Sequence, residues 1–305
     1  MTFQMIWIND TISKLCLPYR SGEVSFWKYR FKGYSQQRKG PSLARLTEMM
    51  RFLYSLYERR LTKQVEGGPT PQHVGIILDG NRRFGRADGL AQLDQVYDRG
   101  AEKLDEVLDW CSDLGISAIT LWVCSTNNLS RAPDEVSGIL TAIEKKLRAL
   151  IHQPQIHGRQ VRVRAAGRLE MLPDSLVEAV QAVEAATDVY DSMTLTIAVA
   201  YGGREEITDA VRALLRDKAI TSGGLGDLVD EITPELIGQY MYVPDLPDPD
   251  LIIRTSGEIR LSGFLLWQSS HSEFYFSDVY WPAFRKIDFL RAIRSYQQRQ
   301  RRYGM

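Results

Sequence analysis

From residue 73 onward the chain alternates short, unbroken apolar runs with longer stretches of helical period. The runs are His73–Leu78, Ala118–Cys124, Val161–Ala165, Leu195–Ala200, Leu251–Arg254 and Phe264–Gln268. Each is bounded by turn residues and is too continuous to leave one face wet, which predicts strands covered on both sides. Between them, Gly100–Asp113, Pro133–Ile151, Asp174–Ala186 and Arg204–Leu215 carry helical patterns, as expected of helices lying on a sheet. Strands alternating with helices imply an α/β fold: a central, mainly parallel sheet flanked by helices on both faces.

Upstream the pattern changes. Leu43, Leu46, Met49, Met50, Leu53, Leu56, Tyr57 and Leu61 recur at helical spacing, with Glu58, Arg59 and Arg60 between them, so Ser42–Leu61 reads as an amphipathic helix. Gly67-Gly68-Pro69 ends it. Residues 1–42 mix aromatics with Arg and Lys without a period; they read as a poorly ordered extension, the other reading being a lid or a membrane-surface contact. The expected organisation is this extension followed by a single domain over 43–305. No repeat or low-complexity tract interrupts it.

Composition narrows the function by exclusion. The 305 residues are 44% apolar and 25% charged, enough for a real core, and Lys+Arg equals Asp+Glu at 38 each. Net charge therefore gives no pointer to nucleic acid, and any polyanion site must be a local basic cluster. Cys16, Cys111 and Cys124 form no CxxC pair and the four histidines no HExxH, which argues against a disulfide framework or zinc site and suits the cytoplasm. No apolar run reaches the ~20 residues of a membrane span, and no signal peptide is read at the N-terminus.

In a sheet of this kind ligands sit beyond the carboxyl ends of the strands. The first strand runs into Asp79-Gly80-Asn81-Arg82-Arg83-Phe84: a carboxylate, a glycine turn, then arginines entering a helix. Backbone N–H groups at a helix start and bidentate arginines suit a phosphate. Asp79 could hold Mg²⁺, which needs one or two carboxylates plus phosphate oxygens. Alone, the cluster reads equally well as a capping Asp before a solvated basic turn. A second strand ends in Arg254, followed by Thr255-Ser256-Gly257, Arg260 and Ser262. Two arginines and a hydroxyl around a glycine turn make a second diphosphate clamp, against the plainer reading of a Glu258–Arg260 surface pair. Two such clamps in one chain make coincidence harder to sustain.

Taken together, these residues resemble the cis-prenyltransferase (undecaprenyl diphosphate synthase) family. The resemblance lies in His73-x-x-x-Ile-Leu-Asp79-Gly-Asn-Arg-Arg-Phe and in Arg254-Thr-Ser-Gly-Glu-x-Arg260-x-Ser262-Gly-Phe-Leu-Leu-Trp-Gln268. Ser272-Glu273-Phe, Tyr280-Trp281-Pro282, Ser125-Thr-Asn-Asn128-Leu-Ser-Arg131 and Tyr201-Gly-Gly-Arg204 extend it. It implies an undecaprenyl-diphosphate-synthase-like fold and joining of an allylic diphosphate to isopentenyl diphosphate. Asp79 would bind Mg²⁺ and help ionise the allylic diphosphate, which Gly80, Asn81, Arg82, Arg83 and Phe84 would cradle. Arg254, Arg260 and Ser262 would hold the second diphosphate, Glu273 would assist the metal, and Asn128 and Arg131 would orient the substrates. The tail Arg302-Tyr303-Gly304 is similar to one that reaches across a homodimer in part of the family; a solvated basic helix end is its plainer reading. No DDxxD pair of the all-helical trans class is present.

Departures from the family pattern bear on chemistry and product. Phe84 replaces Trp, Asn127 replaces a Glu, and Ala91, Gln92 and Leu93, then Val96 and Tyr97, replace an Arg and a Gly-His. Short-chain bacterial members similar to this sequence also lack those groups. Val123, with Trp122 beside it, stands where long-product members carry a small residue, so a short product such as Z,E-farnesyl diphosphate is expected; the alternative is that both merely pack the core. The Asn127 change keeps open an irregular coupling or cyclising enzyme, and a non-catalytic subunit is the third reading. Asp245, Asp248 and Asp250 lie among prolines and read as an extended connector. His152 and His157 read as solvated loop residues, and His271 is given no role.

Overall fold

A computed structural model of the protein describes residues 43–89, 93–221, 229 and 231–303. The proposed extension, Ala91, Gln92 and Gly304 lie outside the described residues, as does the side chain of Arg302.

Six strands form one sheet in the order β3-β4-β2-β1-β5-β6, every neighbouring pair parallel. They are β1 (His73–Ile77), β2 (Ala118–Trp122), β3 (Val161–Ala166), β4 (Met193–Ala198), β5 (Leu251–Arg254) and β6 (Glu273–Phe276). Residues of β1, β2 and β5 are buried throughout, as unbroken apolar runs require. The helices are α1 (Leu43–Val65), α2 (Asn81–Asp88), α3 (Leu93–Asp113), α4 (Pro133–Leu150), α5 (Pro154–Gly158), α6 (Asp174–Thr187), α7 (Gly203–Thr221), α8 (Pro234–Gly238) and α9 (Lys286–Tyr303). The larger core cluster joins one sheet face to α1, α3, α4, α6 and α9, and a smaller one covers the other face with Trp122, Tyr201, Phe264 and Leu265.

Five of the six predicted strands are present. Phe264–Gln268 is not a strand. Ser262, Gly263 and Leu265 have φ of 54°, 98° and 45°, a left-handed backbone that no strand contains. The segment turns instead, and buried Phe264 stacks on Trp122 at 5.4 Å. The sixth strand is β6, nine residues further on. Helix α1 continues past Leu61 because buried Val65 still packs inward, and Gln297 of α9 donates to the Val65 carbonyl at 2.9 Å. His157 is no solvated loop residue: it lies in α5, its Nε2–H donating to the Ile151 carbonyl (2.7 Å) and its Nδ1 accepting from Tyr190 Oη (2.8 Å). The Pro-rich aspartates serve as connector anchors. Asp250 accepts from the N–H groups of Gln72 and His73 at the start of β1, and Asp245 pairs with Arg164.

Candidate active site

Strand β1 is followed by β2 on one side and flanked by β5 on the other, so the chain order reverses beside it. Such a switch point leaves a crevice at the carboxyl edge. Ile77 lies in register with Arg254 and with Trp122, which brings the three segments after β1, β2 and β5 to one rim.

Asp79 is the centre of that rim. Its Oδ2 accepts from Arg254 Nη2 at 2.7 Å and its Oδ1 from Arg83 Nη2 at 3.2 Å. Its backbone is fixed by Thr255: the Asp79 N–H donates to Oγ1 at 2.9 Å, and Oγ1 donates back to the Asp79 carbonyl at 2.7 Å. Burial pushes the Asp79 carboxyl up, but the Arg254 hydrogen bond and the charges of Arg254 and Arg83 together hold it below the usual carboxylate range. It is an ionised group at neutral pH.

The arginines converge from separate elements. Arg254 is 4% exposed; its Nη1 donates to Ser262 Oγ at 2.8 Å and to the Arg260 carbonyl. Its Nε is buried without a hydrogen-bond partner, a donor that a bound anion would satisfy. Arg83 donates to Ser256 Oγ (2.7 Å) and Glu258 (3.1 Å) and lies 5.7 Å from the Tyr280 ring centroid. Arg82 and Arg131 both reach Glu135 in the first turn of α4, at 3.4 and 2.7 Å, and Tyr97 Oη donates to the same carboxylate at 3.4 Å. Six arginines line a cleft of about 460 Å³: Arg82, Arg83, Arg86, Arg131, Arg254 and Arg260. Asp79 is the one carboxylate on its wall among the described residues. This surplus of positive charge suits a polyanion.

Gly80, Asn81, Asn128 and Ser262 also line the cleft. Asn128 is tied into the turn after β2: its Oδ1 accepts from Ser125 N–H at 2.9 Å and its own N–H donates to Ser125 Oγ at 3.1 Å. Two expected residues are not brought here. Phe84 is 4% exposed, on the buried side of α2, and lines no part of the cleft. Glu273 begins β6 in register with Leu251, at the opposite edge of the sheet, and pairs with Arg299 at 2.6 Å. Asn127 is exposed and lines a neighbouring hollow with Ser125 and Ser262. Thr255, Tyr97 and Glu135 make contacts at this rim that the sequence did not assign to them. Glu135 reads from sequence as an ordinary acid in a helix first turn; Arg131 is four residues away, but nothing local marks Arg82 as a second partner.

Behind the cleft lies an apolar cavity between the sheet and helices α3 and α4. Leu78, Asn81, Tyr97, Val123 and Ile139 line both spaces and form the neck. Val123 is thus on the cavity wall. Trp122 is not: it faces the other side of the sheet, stacked on Phe264, as strand alternation requires. A charged cleft opening into an apolar hollow fits a ligand with an anionic head and a hydrocarbon tail.

The family model described as "Putative undecaprenyl diphosphate synthase" matches residues 77–304. The chain belongs to the undecaprenyl diphosphate synthase family. It is 52% identical over 249 residues to an isoprenyl transferase of Deinococcus radiodurans, covering 81% of this chain and 90% of that one. It is 49% identical over 252 residues to the (2Z,6E)-farnesyl diphosphate synthase of Thermobifida fusca, covering 83% and 97%. The crystal structure of lavandulyl diphosphate synthase from Lavandula x intermedia, in complex with dimethylallyl diphosphate, aligns with a TM-score of 0.68 at 32% identity, covering 75% of this chain and 95% of that one. As a member of the undecaprenyl diphosphate synthase family the chain is a prenyl transferase, a cis-prenyl diphosphate synthase.

Mg²⁺ fits the groups present. A single ionised carboxylate faces an arginine-lined cleft, and Mg²⁺ commonly takes one or two carboxylates, with substrate phosphates and water completing its shell. Among the described residues no set of three or more His, Cys, Asp or Glu groups gathers as a metal cage, and no helix is long and apolar enough to cross a membrane.

Proposed function

We propose that this enzyme condenses an allylic diphosphate, geranyl or farnesyl, with isopentenyl diphosphate in the cis sense and uses Mg²⁺. The observation that carries the reading is Asp79 held between Arg83 and Arg254 on a cleft whose neck opens into an apolar cavity. Gly80, Asn81, Arg82 and Arg83 hold the allylic diphosphate over the start of α2, where free N–H groups favour phosphate. Arg254, Arg260 and Ser262 hold the diphosphate of the second substrate. Asp79 would hold the metal, whose positive charge would offset that of the leaving diphosphate. The allylic carbon–oxygen bond breaks with its electron pair leaving on that group, and the fixed arginines stabilise the charge as it forms. The double bond of isopentenyl diphosphate supplies the pair for the new carbon–carbon bond, and the proton then lost from the adjacent carbon passes to a diphosphate oxygen held in the cleft. Asn128, fixed by Ser125, and Arg131, fixed by Glu135, keep the two substrates in register. Tyr97 at the neck keeps its proton: burial, then Glu135, push its phenol up to about 12.

The product is short, such as Z,E-farnesyl diphosphate, because Val123 narrows the tunnel wall; Val123→Ala should lengthen it, and unchanged products would remove Val123 from the account. Within this chain Glu273 cannot meet Asp79, so a metal role for Glu273 requires a second chain, and that role and the homodimer stand together. Phe84 supports the site from below by packing α2. Buried free Cys111 and Cys124 suit a reducing, cytoplasmic setting. Exposed Met49, Phe52, Leu53 and Leu56 along α1 support a peripheral membrane contact. Residues 43–305 act as one catalytic domain, with Arg302 and Gly304 closing the second site from a partner chain.

Incubation with labelled isopentenyl diphosphate and geranyl or farnesyl primers, with product length and stereochemistry read out, tests the proposal. Linear cis products are expected. Branched or cyclic products would establish the irregular reading instead, and absence of turnover with rescue of another synthase the subunit reading. Asp79→Ala should lower kcat at least about 100-fold; undiminished turnover would remove Asp79 from the chemistry.

A further inference from the structure

The apolar cavity has a volume of about 80 Å³, against the roughly 150 Å³ of an engineered cavity that admits benzene. A prenyl tail that lengthens beyond the neck therefore presses on the wall formed by α3 and α4. That wall carries one anomaly. Among the described residues lining the cavity, Lys146 is the one charged residue, set among Leu104, Leu147 and Leu150. It lies two helical turns beyond Ile139 at the neck, about 10 Å deeper along α4. Its ammonium crosses to α3, where the two carboxylate oxygens of Asp105 accept at 2.6 and 2.8 Å. Gln153, just past the end of α4, donates to Asp105 Oδ1 at 2.9 Å. The Lys146 side chain is only 16% exposed, so solvent screens this bond less than the neighbouring Lys145–Asp98 pair, whose side chains are 67% and 41% exposed.

We propose that Lys146 and Asp105 latch α3 to α4 at the deep end of the cavity, limiting how far it dilates and so how many isoprene units the product carries. This rests on the elongation reading above. The stem of Lys146 packs the wall while its head ties the helices from outside, so a growing tail that reaches this level must part the latch.

Full-length Lys146→Met keeps the stem and removes the tie; Asp105→Asn keeps the shape and removes the charge. Both should shift products from a geranyl primer upward by at least one isoprene unit. Asp98→Asn at the exposed pair should not, and the exchange Lys146→Asp with Asp105→Lys should move the distribution back. Amide hydrogen exchange in Leu104–Asp113 and Ile143–Leu150 should quicken about tenfold in Lys146→Met, as a local opening does. Wild-type product lengths, or wild-type exchange, in variants that melt cooperatively would overturn the latch. If the wild type elongates nothing, the elongation reading fails on its own, and unchanged exchange then overturns the latch without reference to turnover.

Discussion

At the residue scale the site turns on one coupling, between Asp79 and Arg254. The guanidinium spans Asp79, Ser262 and the Arg260 carbonyl at once, a planar fork that an ammonium cannot reproduce. Arg254→Lys is expected to lower kcat/KM on the order of 100-fold, and it should also move the acid limb of the rate profile. In the wild type, the arginines hold the Asp79 pKa below its ordinary value, so the carboxylate stays charged until the pH falls beneath the usual range. Weakening that hold raises the pKa, and activity is lost at a higher pH than before. Profiles of kcat/KM carried below pH 4 check this; coincident acid limbs would mean that Asp79 does not govern the limb. Asp79, Arg254, Arg260 and Ser262 were legible as candidates in the sequence because each lies at or soon after a strand end, beside a turn-rich segment. Thr255, which fixes the Asp79 backbone, was not, since its partner lies 176 residues away.

At the scale of elements, the turn from β1 into α2 carries the most constraint. Gly80 sits at φ 99°, a region that favours glycine. A Cβ there would lie 2.6 Å from Tyr280 Cδ1 and 3.0 Å from Ser256 Cβ. Gly80→Ala should destabilise the fold by about 1–3 kcal/mol in urea unfolding and displace the start of α2 from the cleft. Adding Tyr280→Ala relieves the contact but not the backbone strain, so it should recover only part of the loss; full recovery would show that φ is not the constraint. The strands flanking this turn were readable because burial on both faces leaves continuous apolar runs. Phe264–Gln268 misled for the same reason. An apolar run buried in a turn looks identical to a strand, and what forbids the strand is backbone φ at Ser262, Gly263 and Leu265, which only Gly263 signals in the sequence. Glu135 was hidden in the opposite way: Arg131 stands four residues before it, but its neighbours along α4 say nothing of Arg82, which reaches it from α2.

At the scale of the whole molecule, His73 joins the parts that the switch point brings together. It is 1% exposed at the start of β1. The Pro247 carbonyl, 2.6 Å from Nδ1, can only accept, so Nδ1 carries the proton and Nε2 accepts from Thr120 Oγ1 at 2.8 Å. One neutral ring thus ties β1 to β2 and to the connector that enters β5. Burial lowers its pKa to about 4, outweighing the Pro247 hydrogen bond and the Asp250 charge, which both act to raise it. The unfolded chain takes up this proton near pH 6.5, so between about 6.5 and 4 the unfolded state binds more protons and stability must fall as pH falls. A shift of this size is worth on the order of 3 kcal/mol, fully present above the unfolded value and lost as the pH drops toward the folded one. His73→Asn should be less stable than the wild type at pH 7.5. Its stability should also decline less steeply between pH 6.5 and 4.5, because the other acid-sensitive groups remain while this one is gone. Urea midpoints of both proteins across that range decide the matter. Parallel declines would mean that His73 titrates alike in the folded and unfolded chains, and the tie across β1, β2 and the connector would then not depend on a neutral ring.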